Sequence, residues 1–316
     1  MQLFYPNDII NNDECMACIG FFDGVHKGHR FLLNKLKETA AAKGLKTAII
    51  TFRNHPRQII NPDFDLKFLT TFEEKKTLLS YMGIDYCYVL DFDLNVRNLS
   101  SSEFMKLILS EKLNAKALLI GYDHKFGNDR NSGFEDYRRF GKTIGIEVIN
   151  ADCHAPQGKH ISSSEIRKSL LNGDIREANN MLGSVFDING IVVEGNRIGR
   201  TIGFPTANIV PIDKNQIIPQ TGVYAAFATV DNITYQGMLN IGNRPTIEKN
   251  GVQTIEVHIL DYNGNLYNKS INIRFIDKIR DEVSFVNIEA LKEQILKDKE
   301  TIISILSKRD LDNNIL

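Results

Sequence analysis

No stretch of these 316 residues approaches the ~20 consecutive apolar positions that a membrane-crossing helix needs. The first residues, Met1-Gln-Leu-Phe-Tyr-Pro-Asn-Asp8, lack both the basic region and the long apolar run of a secretion signal, so the expected location is the cytoplasm. Excess charge of one sign is also missing. Lys and Arg total 38 against 39 Asp and Glu, a formal charge of −1, so the molecule as a whole has no attraction to polyanions. Neither nucleic acid nor an anionic membrane is an expected partner. Cysteines number only 4: Cys15 and Cys18 are spaced C-x-x-C, but a zinc site needs two more ligands and Cys87 and Cys153 stand alone. These thiols are expected to behave as small apolar core residues. No internal repeat, low-complexity segment or long linker interrupts the chain, and nothing in it fixes an oligomeric state.

What is present is an ordinary globular composition, 42% hydrophobic and 24% charged, in a chain longer than a single core usually grows. Two domains are expected, residues 1–183 and 187–316. In the first, short apolar runs (Cys15–Phe22, Thr47–Phe52, Cys87–Phe92, Ala117–Gly121, Ile146–Asn150) read as strands. They alternate with amphipathic stretches (Gly28–Ala42, Phe72–Met82, Ser100–Leu113, Gly133–Gly141) that read as helices. Alternation of this kind predicts a doubly wound parallel α/β sheet, closed by two further helices near Ser163–Asn172 and Asp174–Leu182.

After Gly183 the period changes. Asp187–Val193, Val223–Val230, Ile233–Asn240, Gln253–Leu260 and Ser270–Ile276 are β-rich and separated by turn signals such as Asn263-Gly264. They predict a closed antiparallel β-barrel. A final run, Asn287–Leu306, puts Ile288, Leu291, Ile295, Ile302 and Ile305 at helical spacings and predicts a C-terminal helix against that barrel.

Each half carries a glycine-rich motif suited to phosphate. Gly20-Phe-Phe-Asp-Gly-Val-His-Lys-Gly-His29 has the form of a strand end, a turn and two histidines at a helix start, where backbone N–H groups and the helix dipole favour an anion. Imidazole donors there can stabilise charge developing during attack at an α-phosphorus, without a covalent intermediate. Gly199-Arg-Thr-Ile-Gly-Phe-Pro-Thr-Ala-Asn208 sets two uncharged oxygen ligands, Thr206 and Asn208, beside a glycine turn. Neither contains the lysine of a Walker loop. Thr51-Phe-Arg-Asn-His-Pro-Arg57 and Gly121-Tyr-Asp-His-Lys-Phe-Gly127 follow predicted strands, and Ser162-Ser-Ser-Glu-Ile-Arg167 opens a predicted helix. Ser162, Ser163 and Arg167 could supply donors to a polyphosphate, although Ser-x-x-Glu is also an ordinary capping pattern.

The ordered set of first-half motifs resembles the adenylyltransferase half of the bacterial bifunctional riboflavin kinase/FAD synthetase family. The second half is similar to that family's kinase. There Gly199-Arg-x-x-Gly-Phe-Pro-Thr-Ala-Asn208, Gly222-Val-Tyr-Ala225, Asn240-Ile-Gly-x-Arg-Pro-Thr246, Glu256-Val-His258 and Arg280-Asp-Glu282 occur in order. The resemblance implies two Mg²⁺-dependent reactions with ATP as co-substrate: riboflavin to FMN, then FMN to FAD and pyrophosphate. It implies adenylyl transfer assisted by His26 and His29, with ATP held by Gly20, Phe22, Gly24, the two histidines, Asp123, Ser162, Ser163 and Arg167. For the kinase it implies Glu256 as general base, ATP at Gly199, Arg200, Gly203, Pro205 and Thr206, and Mg²⁺ on Thr206 and Asn208. Flavin contacts are implied for His55, Asn240, Arg244, Arg280 and Glu282. His124 stands where that family usually has Phe, and Asn268 where Gly is frequent; Asn tolerates a left-handed turn. A relative that has kept only one of the two steps, a flavin-binding regulator without turnover, and transfer of a nucleotide to a different small phosphorylated alcohol are the other readings that these motifs allow.

Overall fold

Five all-buried residues explain the centre of the first unit. Strand β2 (Cys15–Ile19) has no exposed position, so both of its faces must be covered. Odd and even positions alternate between two separate cores: Cys15, Ala17 and Ile19 pack in one, Met16 and Cys18 in the other. The chain was obtained as a computed structural model that describes residues 1–8, 13–55, 66–121, 125–129, 132–151, 161–195, 198–243 and 253–311. It falls into two compact units, Met1–Leu66 with Thr70–Ile161, and Lys67–Leu69 with Ser162–Leu316.

The first unit is built on a sheet ordered β1-β4-β3-β2-β5-β6, with β1 (Gln2–Phe4), β3 (Lys46–Phe52), β4 (Tyr86–Leu90), β5 (Ala115–Ile120) and β6 (Glu147–Asn150). Every pairing is parallel. The chain winds outward from β2 through β3 to β4, then returns to β5 on the other side of β2. That reversal creates a crevice at the carboxyl ends of β2 and β5, the place where open α/β sheets bind ligands. Helix α1 (Lys27–Ala42) covers one face with Leu33, Leu36 and Ala40, joined by Leu79 of α2 (Phe72–Ser80). The other face lies under a helical run over Ser101–Lys112, α-helical as α4 (Ser101–Phe104) and then π-helical, and under Tyr137 of α5 (Phe134–Ile144). A short α3 (Leu94–Asn98), capped by the Asp93 carboxylate, was not evident from periodicity because it spans scarcely more than one turn. The three-residue β1 is too short for an alternating pattern.

For Cys15, Cys18 and Cys87 the cysteine reading stands on geometry, while Cys153 lies outside the described residues. Cys15 and Cys18 lie on opposite faces of the sheet, and burial pushes both thiols, and that of Cys87, up to about 12. Among the described residues no group of three His, Cys, Asp or Glu side chains could hold a metal, and no helix is long and apolar enough to cross a membrane.

The second unit is a closed barrel ordered β10-β11-β8-β7-β12-β9. Its strands are β7 (Asp187–Val193), β8 (Ala207–Pro211), β9 (Gly222–Val230), β10 (Ile233–Asn243), β11 (Gln253–Ile259) and β12 (Ser270–Arg280), antiparallel throughout. Strand β12 runs four residues past the expected Ile276, through register shifts between Phe275 and Asp277 and between Lys278 and Arg280. Such bulges turn side chains out of the simple alternation. Strand β8 was concealed in the sequence because the preceding Phe204-Pro205-Thr206 reads as a turn. Asn268 adopts the left-handed conformation, φ 63°, as its residue type allows.

The C-terminal helix, here α9 (Ile288–Leu311), follows a short α8 (Ile198–Thr201) in the order of this unit's helices. Ile302 and Leu306 of α9 are wholly buried against Val223, Ala225, Phe227 and Met238. The expected stripe needs one correction: Ile288 is 61% exposed, because it is the first residue of the helix and precedes the contact with the barrel, while Leu306 takes a core place.

Two helices expected to close the first domain, α6 (Ser163–Asn172) and α7 (Ile175–Leu182), belong by their contacts to the barrel unit. Arg176 pairs with Asp277, and the buried Asn179 amide spans two backbone groups, donating to the Phe275 carbonyl (2.8 Å) and accepting from the Phe186 amide (2.7 Å). Asn179→Ala would leave both groups buried and unpaired. It is expected to destabilise the barrel by about 2–4 kcal/mol in urea unfolding followed by circular dichroism; a change below about 0.5 kcal/mol would show that Asn179 does not tie α7 to the barrel.

Candidate active sites

The turn after β2 is held in a conformation that side chains rarely adopt. Phe22, Gly24 and Val25 all have positive φ, at 56°, 78° and 38°. A β-branched residue there is costly, and such strain persists only where the surroundings enforce it. Thr70 supplies part of that enforcement: its hydroxyl accepts from the Gly24 amide (3.1 Å), and its own amide donates to the buried Asp23 carboxylate (3.2 Å). The turn delivers His26 to the N-cap of α1, where its Nδ1 accepts from the His29 amide at 3.3 Å. The two imidazoles stack with centroids 3.6 Å apart, and Phe22 meets His29 edge-on at 5.3 Å. Gly28 makes this possible, since a Cβ there would lie 3.2 Å from the His26 ring and 3.1 Å from the Ile161 carbonyl.

His29 is half-buried, and its Nδ1 is shielded from solvent with no hydrogen-bond partner among the described residues. Burial, then the charges of His26 and Lys75, hold it well below the usual imidazole range. It is therefore a neutral imidazole at physiological pH, able to offer one N–H to a developing oxyanion.

Lys75 was missed in the sequence. It lies in the run Glu73-Glu-Lys-Lys76, which reads as a solvated helix face, yet it is only 2% exposed. Its ammonium donates to the carbonyls of Phe52 (2.8 Å) and Phe21 (3.1 Å), at the carboxyl ends of β3 and β2, and sits 3.9 Å from the Phe21 ring centroid. The available signal was spacing: Phe72, Lys75 and Leu79 form one helical stripe, so the lysine occupies a core position. His55 also belongs to this neighbourhood, its ring edge-on to Phe21 at 4.6 Å. Gly20, Phe22, Gly24, His26 and His29 are thus gathered at the crevice. Asp123 and His124 lie outside the described residues.

Ser162, Ser163 and Arg167 fall in the second unit by contacts. The Ser162 hydroxyl caps α6 by accepting from the Glu165 amide (3.3 Å), and Arg167 Nε donates to the Lys67 carbonyl (2.8 Å).

The barrel unit contains a cavity of about 310 Å³. Register builds its polar side. Asn208 of β8 is directly opposite Glu256 of β11, which is directly opposite Asn240 of β10, so three polar side chains share one row and one face. The Thr206 hydroxyl donates to Glu256 Oε2 at 3.1 Å. Donation uses the hydroxyl's only proton and leaves its oxygen lone pairs available to a cation. Gly195 leaves the space in which the Asn208 amide sits; a Cβ there would be 2.0 Å from Asn208 Nδ2. A hydroxyl and an amide oxygen, both hard oxygen donors, suit Mg²⁺, which takes its remaining ligands from water and phosphate.

Apolar side chains complete the lining: Val223, directly opposite Asn240 on β9, and Met238, two residues from Asn240 on β10, share the face of the polar row, and Phe285, Leu291 and Ile295 come from beyond the strands. Arg280 reaches this cavity but is engaged with the buried Asp298 of α9 through Nε (2.9 Å) and a second nitrogen (2.7 Å). Glu282 also lines it, beside Asn240 and the Gly242 backbone. Gly199 and Thr206 line it too, while Pro205 and Gly203 flank the same turn. Arg244 and the Arg200 side chain lie outside the described residues.

The first half of the chain matches the FAD synthetase family model over residues 8–165, and the second matches the riboflavin kinase model over residues 182–306. The chain belongs to the bifunctional riboflavin kinase/FMN adenylyltransferase family. Members similar to it include those of Bacillus subtilis, 36% identical over 97% of this chain and 98% of the relative, and Listeria monocytogenes, 33% identical over 98% and 99%. The Escherichia coli K12 member is 36% identical over 92% of each chain. A solved structure from Streptococcus pneumoniae superposes with a TM-score of 0.86 at 30% identity, covering 95% of this chain and 98% of that one. It is titled a macrolide-efflux protein, a description at odds with both family models.

Lys75 gives this member of the family a pH signature. Burial brings its ammonium down to about 8, against the opposing charge of Asp23. A lysine lowered in this way contributes stability that is complete above its unfolded value, about 10.4, and is lost as pH falls toward its folded value. The stability of wild type relative to Lys75→Met is therefore expected to rise between pH 8 and 10, by as much as about 3 kcal/mol. Urea unfolding followed by circular dichroism at a series of pH values checks it; a difference that stays flat across that window would refute the lowered value.

Proposed function

We propose that the barrel cavity is where riboflavin is phosphorylated and that the crevice of the first unit is where the resulting FMN is adenylylated. The observation that carries the kinase half is the Thr206–Glu256 hydrogen bond, with Glu256 in register with Asn208 and Asn240, at a cavity whose wall is otherwise largely apolar. A flat, mostly apolar ring system fits such a wall, and a polyol side chain fits the polar row. Riboflavin is placed with its ribityl 5′-hydroxyl toward Glu256. That carboxylate takes the hydroxyl proton as the oxygen attacks the γ-phosphorus of ATP, the bond to the β-phosphate oxygen breaks, and ADP departs. Thr206 and Asn208 would hold Mg²⁺ against the ATP phosphates, where it supplies neutralising charge. Asn240 and Glu282 orient the flavin. Arg280 acts from its pairing with Asp298, which fixes the guanidinium beside the cavity.

In the first unit, an FMN phosphate oxygen attacks the α-phosphorus of a second ATP and pyrophosphate leaves. His26 and His29 sit at the N-terminus of α1, where ring and backbone N–H groups meet an anion. The neutral state of His29 suits hydrogen-bond donation without an unpaired buried charge. The expected division of activities, residues 1–183 for adenylyl transfer and 187–316 for phosphorylation, is supported by family models over 8–165 and 182–306.

The two sites should fail separately. Glu256→Gln is expected to slow FMN formation ~10²–10⁴-fold while leaving conversion of supplied FMN to FAD near wild type. His29→Ala is expected to do the reverse. Chromatographic assay of each step alone decides it: a Glu256→Gln enzyme that still phosphorylates riboflavin normally removes Glu256 as the base, and loss of both steps in either variant removes the assignment of one site to each unit.

A further inference from the structure

The backbone ladder between β8 and β11 ends at the pair Val257–Ala207. Pro205 and Thr206 lie just beyond it, exposed between the buried Phe204 and Ala207. Thr206 must nonetheless point its hydroxyl at Glu256. On the far side of the turn the Phe204 amide donates to the Gly199 carbonyl at 2.8 Å, so the Pro205–Thr206 peptide lies between that bond and the end of the ladder. One side chain takes hold of that peptide. His258, the next residue of β11 after the last ladder pair, places Nδ1 2.8 Å from the Pro205 carbonyl, with its ring edge-on to Phe204 at 5.5 Å.

We infer that His258 is a positioning residue for phosphoryl transfer: its Nδ1–H fixes the Pro205–Thr206 peptide and thereby aims the Thr206 hydroxyl at Glu256 and at the metal–nucleotide. A carbonyl oxygen can only accept, so Nδ1 carries the proton. The plane of a peptide is rigid, so anchoring its oxygen sets the direction in which the following residue leaves. His258 and Glu256 are two residues apart on one strand, so they share a face, and both line the cavity. The imidazole thus extends the ladder by one bond, at the place where the β8–β11 ladder has ended among the described residues and a ligand residue needs a fixed direction. Residues that orient metal ligands in this way typically change metal affinity ~10–100-fold when removed.

The inference rests on the reading that Thr206 contributes to holding Mg²⁺–ATP, and the test separates the two. In the full-length chain, riboflavin phosphorylation is measured against Mg²⁺ concentration at fixed ATP for wild type, Thr206→Val, His258→Leu and His258→Asn. Conversion of supplied FMN to FAD serves as the control for an intact first unit. Asparagine presents an N–H donor at nearly the place of Nδ1; leucine fills the space without one. The expected result is a rise of about tenfold or more in the Mg²⁺ needed for half-maximal rate with His258→Leu, recovery to near wild type with His258→Asn, and unchanged FAD formation in both. A His258→Leu enzyme with wild-type Mg²⁺ dependence beside a defective Thr206→Val overturns the role of His258 alone. Equal impairment of His258→Asn and His258→Leu also overturns it, because the ring's packing on Phe204 would then be what matters. Wild-type Mg²⁺ dependence in Thr206→Val overturns the metal reading of the site, and this inference with it.

Discussion

The antiparallel register that sets Glu256 between Asn208 and Asn240 is the constraint on which the barrel site depends. A slip of one residue along β11 would turn Glu256 inward and bring Ile255 or Val257, both buried, into the polar row. Burial opposes such a slip. The alternation of Ile255, Val257 and Ile259 as core residues with Thr254, Glu256 and His258 as their outward neighbours makes the hydrophobic core the guardian of the site's geometry. Closure of the barrel removes the free edges along which β11 could shift. The same economy recurs where α9 supplies the cavity with apolar cover through Leu291 and Ile295 and with a single buried carboxylate, Asp298, that holds Arg280.

The first unit relies on a different device. Its site is a turn with two non-glycine residues in left-handed conformation, a conformation that stands because the groups around it are bonded on both sides. Thr70 and Asp23 secure the turn from within the unit, and Lys75 gathers the ends of β2 and β3 from beneath. Burying an ammonium is costly, but two carbonyl acceptors and an aromatic face offset part of that cost. The result is a stacked pair of imidazoles at a helix N-terminus with one of them neutral. That arrangement offers hydrogen bonds to a phosphate without adding a titrating charge to the core.

Much of this was legible in the sequence, for physical reasons that differ by element. The fully buried β2 and the alternating β11 carry opposite hydrophobic patterns, and each told its own sheet type. The motif residues around His26 and Thr206 were visible because glycine, proline and histidine are punctuation that core packing alone does not require. What was hidden depended on tertiary context. Strand β8 begins inside a segment whose proline reads as a turn, and its identity comes from partners on β7 and β11. Helices α6 and α7 have apolar faces that any neighbour could cover; the Gln220 amide bonded to Leu170 of α6, and Asn179 and Arg176 of α7, tie them to the barrel unit. Lys75 looked like part of a solvated charge run, and its burial is a fact of packing that composition cannot express.

The most direct test of the central claim is a time course of the purified chain with riboflavin, ATP and Mg²⁺, with riboflavin, FMN and FAD separated chromatographically. The account predicts that FMN accumulates first and then declines as FAD rises. Riboflavin that binds but is never converted to either product would contradict it.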